Sequence, residues 1–360
     1  MKIFTTTKAF FVYSASTVLF CLIMLELLMI FAEPYLFHGF YQYDPDLGFR
    51  VRPYANGTNR FGFNDHDYPL QKKPSTFRIL VVGDSFSWRG GKDKNYTALL
   101  EGMFEQSRGG HAVDVINTGY PMTHTAEQLE MLKKYGLQYN PDLVFLGFFI
   151  GNDFLDADPN RKRVVLNNVY FDIDKRWEFT FLGYPIVPMS RLALFVKQKY
   201  TVFRNLDKSR KGTFTYDCFL KTEKGRMDFF NVDKQRAGIY RQNIDYIFQS
   251  IDGMKELLDS RNIKFVVGIY PDEFHVNENL LHQIFTKFEL EKEHYELMFG
   301  QNLLKRYLES KKIQYIDMTE EFRAEGKKKP LYLPRDTHWN EAGNELAAKI
   351  IFKKISEFVQ

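Results

Sequence analysis

The chain has 360 residues, 44% of them hydrophobic and 26% charged, with a formal net charge of +4. That length fits one α/β domain with insertions, or one domain and an anchor, and there is enough apolar material for a large core. The charge is too mild for a nucleic-acid binder, and no repeat, low-complexity tract or zinc-type Cys/His spacing is present.

Residues 9–32 read AFFVYSASTVLFCLIMLELLMIFA. As a helix this run spans about 36 Å, enough for the ~30 Å hydrocarbon core of a bilayer with some tilt. Lys2 and Lys8 precede it and Glu33 follows, so the positive-inside bias predicts a cytoplasmic N-terminus and an extracytoplasmic remainder, periplasmic or extracellular. The run is long for a cleaved signal peptide and no small-x-small pattern closes it, so residues 1–32 are expected to be an uncleaved signal anchor. Phe20 before Cys21 is too large for a lipoprotein signal. A disulfide between Cys21, inside this segment, and Cys218 is not expected. Glu26 is an ionisable group within the run, placed either to contact a partner or to snorkel to the interface.

Residues 33–75 carry Pro, Gly, Asn and Asp at turn spacing, as in YDPDLGF and YANGTNRFGFND, and read as a loop-rich neck. The main domain is expected over 76–360. Short apolar runs at 79–82, 113–116, 143–150, 265–269 and 313–316 lack alternation, as strands buried on both faces do. Helical stretches lie between them at 95–106, 124–138, near 234–261, near 289–311 and from 341 to about 358, with Asn340 placed to cap the last. This alternation predicts an α/β fold with a parallel sheet covered by helices and ligands at the carboxyl ends of the strands. Residues 154–233 interrupt it as an insertion: VVLNNVYFDIDKRWEFTF reads as a β-hairpin, and SRLALFVKQKYTVFRNLDKSRKG as a basic, aromatic-rich helix. The basic cluster there suits anionic headgroups, an anionic polymer or a partner, or is simply a solvated face.

GDSFS at 83–87 ends the first strand, so the Ser85 hydroxyl is expected at the sheet edge, as in a nucleophile elbow. An ester-cleaving serine needs a base and oxyanion donors. Gly119 in VINTGYPM follows the second strand, where a backbone N–H can approach a substrate without a Cβ in the way. Asn152 in GFFIGNDF follows the third and carries two neutral amide donors. Taken singly each is an ordinary turn residue. Three such residues at three successive strand ends point to one site. His338 in LYLPRDTHWNEAG is the expected base, with Asp336 two residues before it as its orienter. His124 and His275 are the alternative bases, His124 being equally suited to starting a helix.

The GDS, NTG, GND and DTH blocks together resemble those of the SGNH, or GDSL-type, hydrolases, over about 76–358. The resemblance implies a flavodoxin-like three-layer α/β/α sandwich preceded here by one transmembrane helix. It implies Ser85 as nucleophile, His338 as base, Asp336 as orienter, and an oxyanion hole from the N–H groups of Ser85 and Gly119 and the Asn152 amide. It implies no metal or organic cofactor. Phe86 replaces the family's usual leucine and is expected to pack. The D-x-H-W spacing resembles the alginate O-acetylation branch, whereas the usual acid lies three residues before the histidine. The reading is a membrane-anchored esterase or O-acyltransferase acting on acyl esters of a surface polysaccharide, with acetyl the expected group. A membrane acyltransferase is the kind of protein partner this reading allows, and nucleic acid is not expected. A non-catalytic scaffold or glycan-binding subunit and a lipid esterase are the alternatives.

Overall fold

The computed structural model describes every residue except 1, 37–38, 108–111, 167–168, 175, 177–178, 182–183, 187–189, 198, 201–214 and 360. Two compact units form, one from residues 1–52 with 160–213 and the other from 53–159 with 214–360.

In the first unit, α1 (Lys2–Leu36) contains an apolar span, Thr7–Ala32, long enough to cross a membrane. Its side chains are largely exposed, Phe20 and Leu28 among them. The expected hairpin forms, Arg161–Leu166 pairing antiparallel with Val169–Asp174. Its inner residues Val164, Leu166 and Ile173 pack with Leu194 and Tyr43. The expected basic helix is present at 191–197 and 199–200. Its continuation over 201–212, with Arg204, Lys208, Arg210 and Lys211, lies outside the described residues.

The second unit is built on five strands: β1 (Thr76–Gly83), β2 (Ala112–Asn117), β3 (Leu143–Phe149), β4 (Lys264–Tyr270) and β5 (Gln314–Asp317). They pair in parallel in the order β2-β1-β3-β4-β5. Order and direction are those of the flavodoxin-like doubly wound sheet, whose switch point lies between β1 and β3. β1 runs directly into a short helix, α2 (Ser85–Trp88). Alternate residues of β1 serve opposite faces. Ile79 and Val81 join one core with α3 (Tyr96–Ser107), α9 (Thr319–Gly326) and α10 (Glu341–Ile355). Leu80 and Val82 join the other with α4 (Thr125–Lys134), α6 (Arg241–Asp259) and α8 (Phe299–Ser310). The result is the expected three-layer α/β/α sandwich. Between α4 and α6 the chain adds α5 (Tyr216–Met227), which places Phe219, Leu220 and Met227 in the core of Leu80 and Val82. α7 (Glu278–Lys287) precedes α8.

All five expected strands form, but two expected helices start or end elsewhere. The stretch near 234–261 is divided at Gly238, whose φ of +69° breaks the helix before α6. The stretch near 289–311 begins only at Phe299, because α7 ends in a Schellman-type cap: Glu289 takes φ +51° and Leu290 N donates to Phe285 O. A glutamate where glycine is usual leaves no stop signal in the sequence. The neck is also more than a connector. Asn59, Phe63 and Asp65 are buried in the second unit, Phe63 against Tyr120 and Tyr135. Cys21 and Cys218 are both free thiols.

The cap of α10 is as expected, with Asn340 Oδ1 accepting from Gly343 N at 3.0 Å. Asn340→Ala should lower stability by about 1 kcal/mol, read as a shift in the urea midpoint at unchanged m-value.

Candidate active site

β1 ends at Gly83, where a Cβ would fall 2.5 Å from Ser87 Oγ, so glycine lets the chain turn at once into α2 without displacing that hydroxyl. Asp84 Oδ1 caps α2 by accepting from Phe86 N at 2.9 Å. Ser85 is therefore the first helical residue, at the carboxyl edge of the sheet, and its backbone N–H donates to no described residue, as at any helix start. Phe86 packs as expected, its ring 4.3 Å from that of Phe149, 5.0 Å from Trp339 and 5.1 Å from His338.

Asp336 and His338 lie on a final hairpin, β6 (Tyr332–Leu333) with β7 (Asp336–Trp339). Residues two apart on a strand share a face. That is why the D-x-H spacing works: His338 Nδ1 lies 2.5 Å from Asp336 Oδ1, while His338 Nε2 lies 2.7 Å from Ser85 Oγ. The structure thus brings the three expected residues into one line. It adds a fourth that sequence reasoning missed: Arg89 Nη2 donates to Asp336 Oδ2 at 2.6 Å. Burial works to raise the Asp336 pKa, but hydrogen bonding and charge from His338, with Arg89 behind, outweigh it and hold the carboxyl at about 2. The hairpin turns through Pro334 and Arg335, and Arg335 adopts φ +59°. Proline followed by a positive φ is the pattern of a type II turn, and a non-glycine residue there costs roughly 1 kcal/mol.

Thr337, between the two, faces the other way. Its Oγ1 donates to Glu223 Oε1 at 2.5 Å and accepts from Arg226 Nη1 at 2.5 Å. Arg226, near the end of α5, also donates to Glu223 at 2.6 Å and lies over the Phe149 ring. Asp272, just past β4, is 3.8 Å from Arg226 and rests against the backbone before Asn152: a Cβ on Gly151 would fall 2.1 Å from Asp272 Oδ2. Burial and the neighbouring Glu223 push the Asp272 carboxyl well above its ordinary range, and Arg226 offsets only part of this. Burial likewise raises Asp84, to about 6, and Asp153, which also feels the charge of Asp84. The sequence signal for this cluster was slight, since Glu223 and Arg226 fall in a stretch read as insertion.

Asn152 Nδ2 donates to Asp156 Oδ2 at 3.0 Å, which commits one of its two amide hydrogens. The Gly119 N–H donates to Asn117 Oδ1 at 2.8 Å, within its own loop, and a Cβ there would fall 2.2 Å from Ser87 Cβ. The glycine is required by close packing of this loop on α2, and its N–H is already engaged. The NRFGFND motif of the neck holds the same two pieces: Asn64 Nδ2 donates to Trp88 O at 2.7 Å, and Asp65 Oδ2 accepts from Asn117 N at 2.7 Å.

Neither alternative histidine serves Ser85. His124 caps α4, its Nδ1 accepting from Ala126 N at 3.3 Å. His275 is buried between Asp272 N and Leu297 O, and burial pushes its pKa down to about 3, so it stays neutral.

Residues 229–359 match the family model of the SGNH hydrolase-like domain of the acetyltransferase AlgX. The carboxyl-terminal part of this chain is therefore SGNH hydrolase-like in sequence. The matched residues include Asp336 and His338, while Ser85, Gly119 and Asn152 precede them. No curated protein matches the chain. Similar solved structures include the acetyl xylan esterase AlAXEase, 14% identical, covering 78% of this chain and 100% of that one at a TM-score of 0.41. A catalytic mutant of an acetylxylan esterase from Geobacillus stearothermophilus is 11% identical, covers 78% and 94%, and has a TM-score of 0.40. A lipase/acylhydrolase from Enterococcus faecalis is 13% identical, covers 78% and 96%, and has a TM-score of 0.38.

Gly119→Ala should cost about 1–3 kcal/mol of stability by overpacking, read by urea unfolding. Asp336 also sets a pH dependence. Its folded pKa lies below the ordinary 3.8, so folding favours the charged form. The resulting stabilisation is complete above about pH 4 and is lost as pH falls towards about 2. The stability difference between wild type and Asp336→Asn should therefore shrink across that window, measured by urea midpoints at stepped pH.

Proposed function

We propose that this chain is a membrane-anchored, extracytoplasmic serine esterase or O-acyltransferase of SGNH type. Its substrate is an acyl ester, with acetyl the favoured group, on a cell-surface polysaccharide. The observation that carries the reading is the hydrogen-bonded line from Ser85 Oγ through His338 to Asp336. His338 Nε2 takes the Ser85 proton as Oγ attacks the ester carbonyl, and Asp336 holds the tautomer that leaves Nε2 available. Arg89 fixes Asp336 from its other oxygen. The tetrahedral oxyanion is met by the unused N–H of Ser85 and the second amide hydrogen of Asn152. Collapse expels the sugar oxygen, protonated by His338, and leaves an acyl-serine. Attack by water, again through His338, completes hydrolysis; attack by a sugar hydroxyl completes transfer.

The acetyltransferase domain matched by residues 229–359 supports acetyl as the group handled. The apolar span Thr7–Ala32, with Lys2 and Lys8 near its start, supports an anchor whose N-terminus is cytoplasmic.

With p-nitrophenyl acetate, Ser85→Ala and His338→Ala should each reduce kcat by about 10³-fold or more, and the double variant should lose little beyond either single one. Retention of wild-type turnover in Ser85→Ala would overturn the mechanism. Acetylated oligosaccharide offered with a second, unacetylated glycan separates hydrolysis from transfer, by mass spectrometry of the two products.

A further inference from the structure

Within the first unit, Glu26 lies six residues before the end of the apolar span Thr7–Ala32, about 9 Å along a helix. Its carboxylate accepts from Ser190 Oγ at 2.7 Å, from Leu192 N at 3.1 Å and from Arg191 N. These donors open the helix at 191–197 and 199–200. A helix start carries unsatisfied N–H groups and a partial positive charge, so it suits an anion. An ionisable side chain in an apolar span is costly unless it is paired. Here the inserted segment supplies the pairing, so the second helix is fastened to α1 at the depth of Glu26.

The inner side of that helix is occupied: Leu194 packs with Val164, Leu166 and Ile173, and Arg191 is buried. Its outer side is unusual for a helix facing water. Ala193, Val196 and Tyr200 recur at i, i+3 and i+7, so they share one face. Val196 is 58% and Tyr200 61% exposed. Lys197 and Lys199 flank this stripe and are exposed. An apolar outward stripe edged by lysines is the pattern of a helix lying in a membrane interface. The helix that carries the stripe is hydrogen-bonded through its start to α1, whose apolar side chains are themselves largely exposed.

We propose that the helical residues 191–197 and 199–200 lie in the membrane interface, pinned to the membrane-spanning helix through Glu26. Their occupant is the headgroup–acyl boundary of an anionic phospholipid bilayer. Ala193, Val196 and Tyr200 enter the acyl region, and Lys197 and Lys199 meet the phosphates. The inference rests on residues 7–32 being a membrane anchor. In this arrangement the insertion fixes the first unit on the bilayer surface.

The test uses the full chain in nanodiscs of phosphatidylcholine and phosphatidylglycerol, some carrying bromine on the acyl chains. Tyr200→Trp and Val196→Trp each add one indole, read as the difference from wild-type fluorescence. Loss of the added emission in brominated discs, for either variant, is the expected result. Adding Glu26→Gln should weaken that quenching, because a neutral amide is a poorer acceptor at a helix start. Lys197→Glu with Lys199→Glu should weaken it in anionic discs more than in discs of phosphatidylcholine alone. A chain that enters discs while both introduced indoles stay unquenched overturns this inference alone and leaves the stripe as a face for another protein. A chain that fails to enter discs overturns the anchor as well. Esterase activity of Ser85, assayed in detergent, is read independently of either result.

Discussion

Side chains alternate across a strand, and the candidate site of this protein depends on how the last hairpin uses that alternation. Asp336 and His338 share one face of β7 and reach Ser85, while Thr337 faces Glu223 and Arg226. A shift of one residue in register would exchange these faces and separate His338 from Ser85. The turn that sets the register holds Arg335 at a positive φ, a modest local cost that the surrounding contacts offset. The Asp336 carboxylate is then held from two sides, by His338 and by Arg89 at the end of α2.

Around this line the sheet edge collects an uncommon density of buried acids. Asp84, Asp153, Glu223 and Asp272 are all buried, with Arg226 interacting electrostatically with three of them, Asp84, Glu223 and Asp272. Such a cluster is stable only if protons and a compensating cation are shared. Its members touch the parts that must not move: Asp84 caps α2, Asp153 accepts from Phe149 N, and Asp272 lies against Gly151. The NRFGFND motif ties α2 to the end of β2 through Asn64 and Asp65. Ser85 is thus mounted on a rigid frame, as a preorganised site requires.

Much of this was legible in the sequence. Strands covered on both faces read as unbroken apolar runs, so all five were found. The grouping of Ser85, Asp336 and His338 was legible because a strand end and an i, i+2 pair carry strong geometric meaning. What escaped had physical reasons. Glu289 and Gly238 end or divide helices through positive φ, and glutamate gives no hint of it. The packing of Gly119 on Ser87 was also hidden, because glycine serves both close ligand approach and close packing, and sequence cannot separate the two. Arg89, Glu223, Arg226 and Asp272 act through partners far away in the chain, which no local pattern reveals. The contact of Glu26 with Ser190–Leu192 was invisible for the same reason.

The central claim is that Ser85 is activated by His338. Its most direct measurement is covalent capture by a fluorophosphonate, which reacts with base-activated serines, followed by peptide mapping by mass spectrometry. The account predicts a single adduct on the peptide containing Ser85, formed in the wild type and not in His338→Ala. An adduct on another residue, or equal labelling of Ser85 without the imidazole, would contradict it.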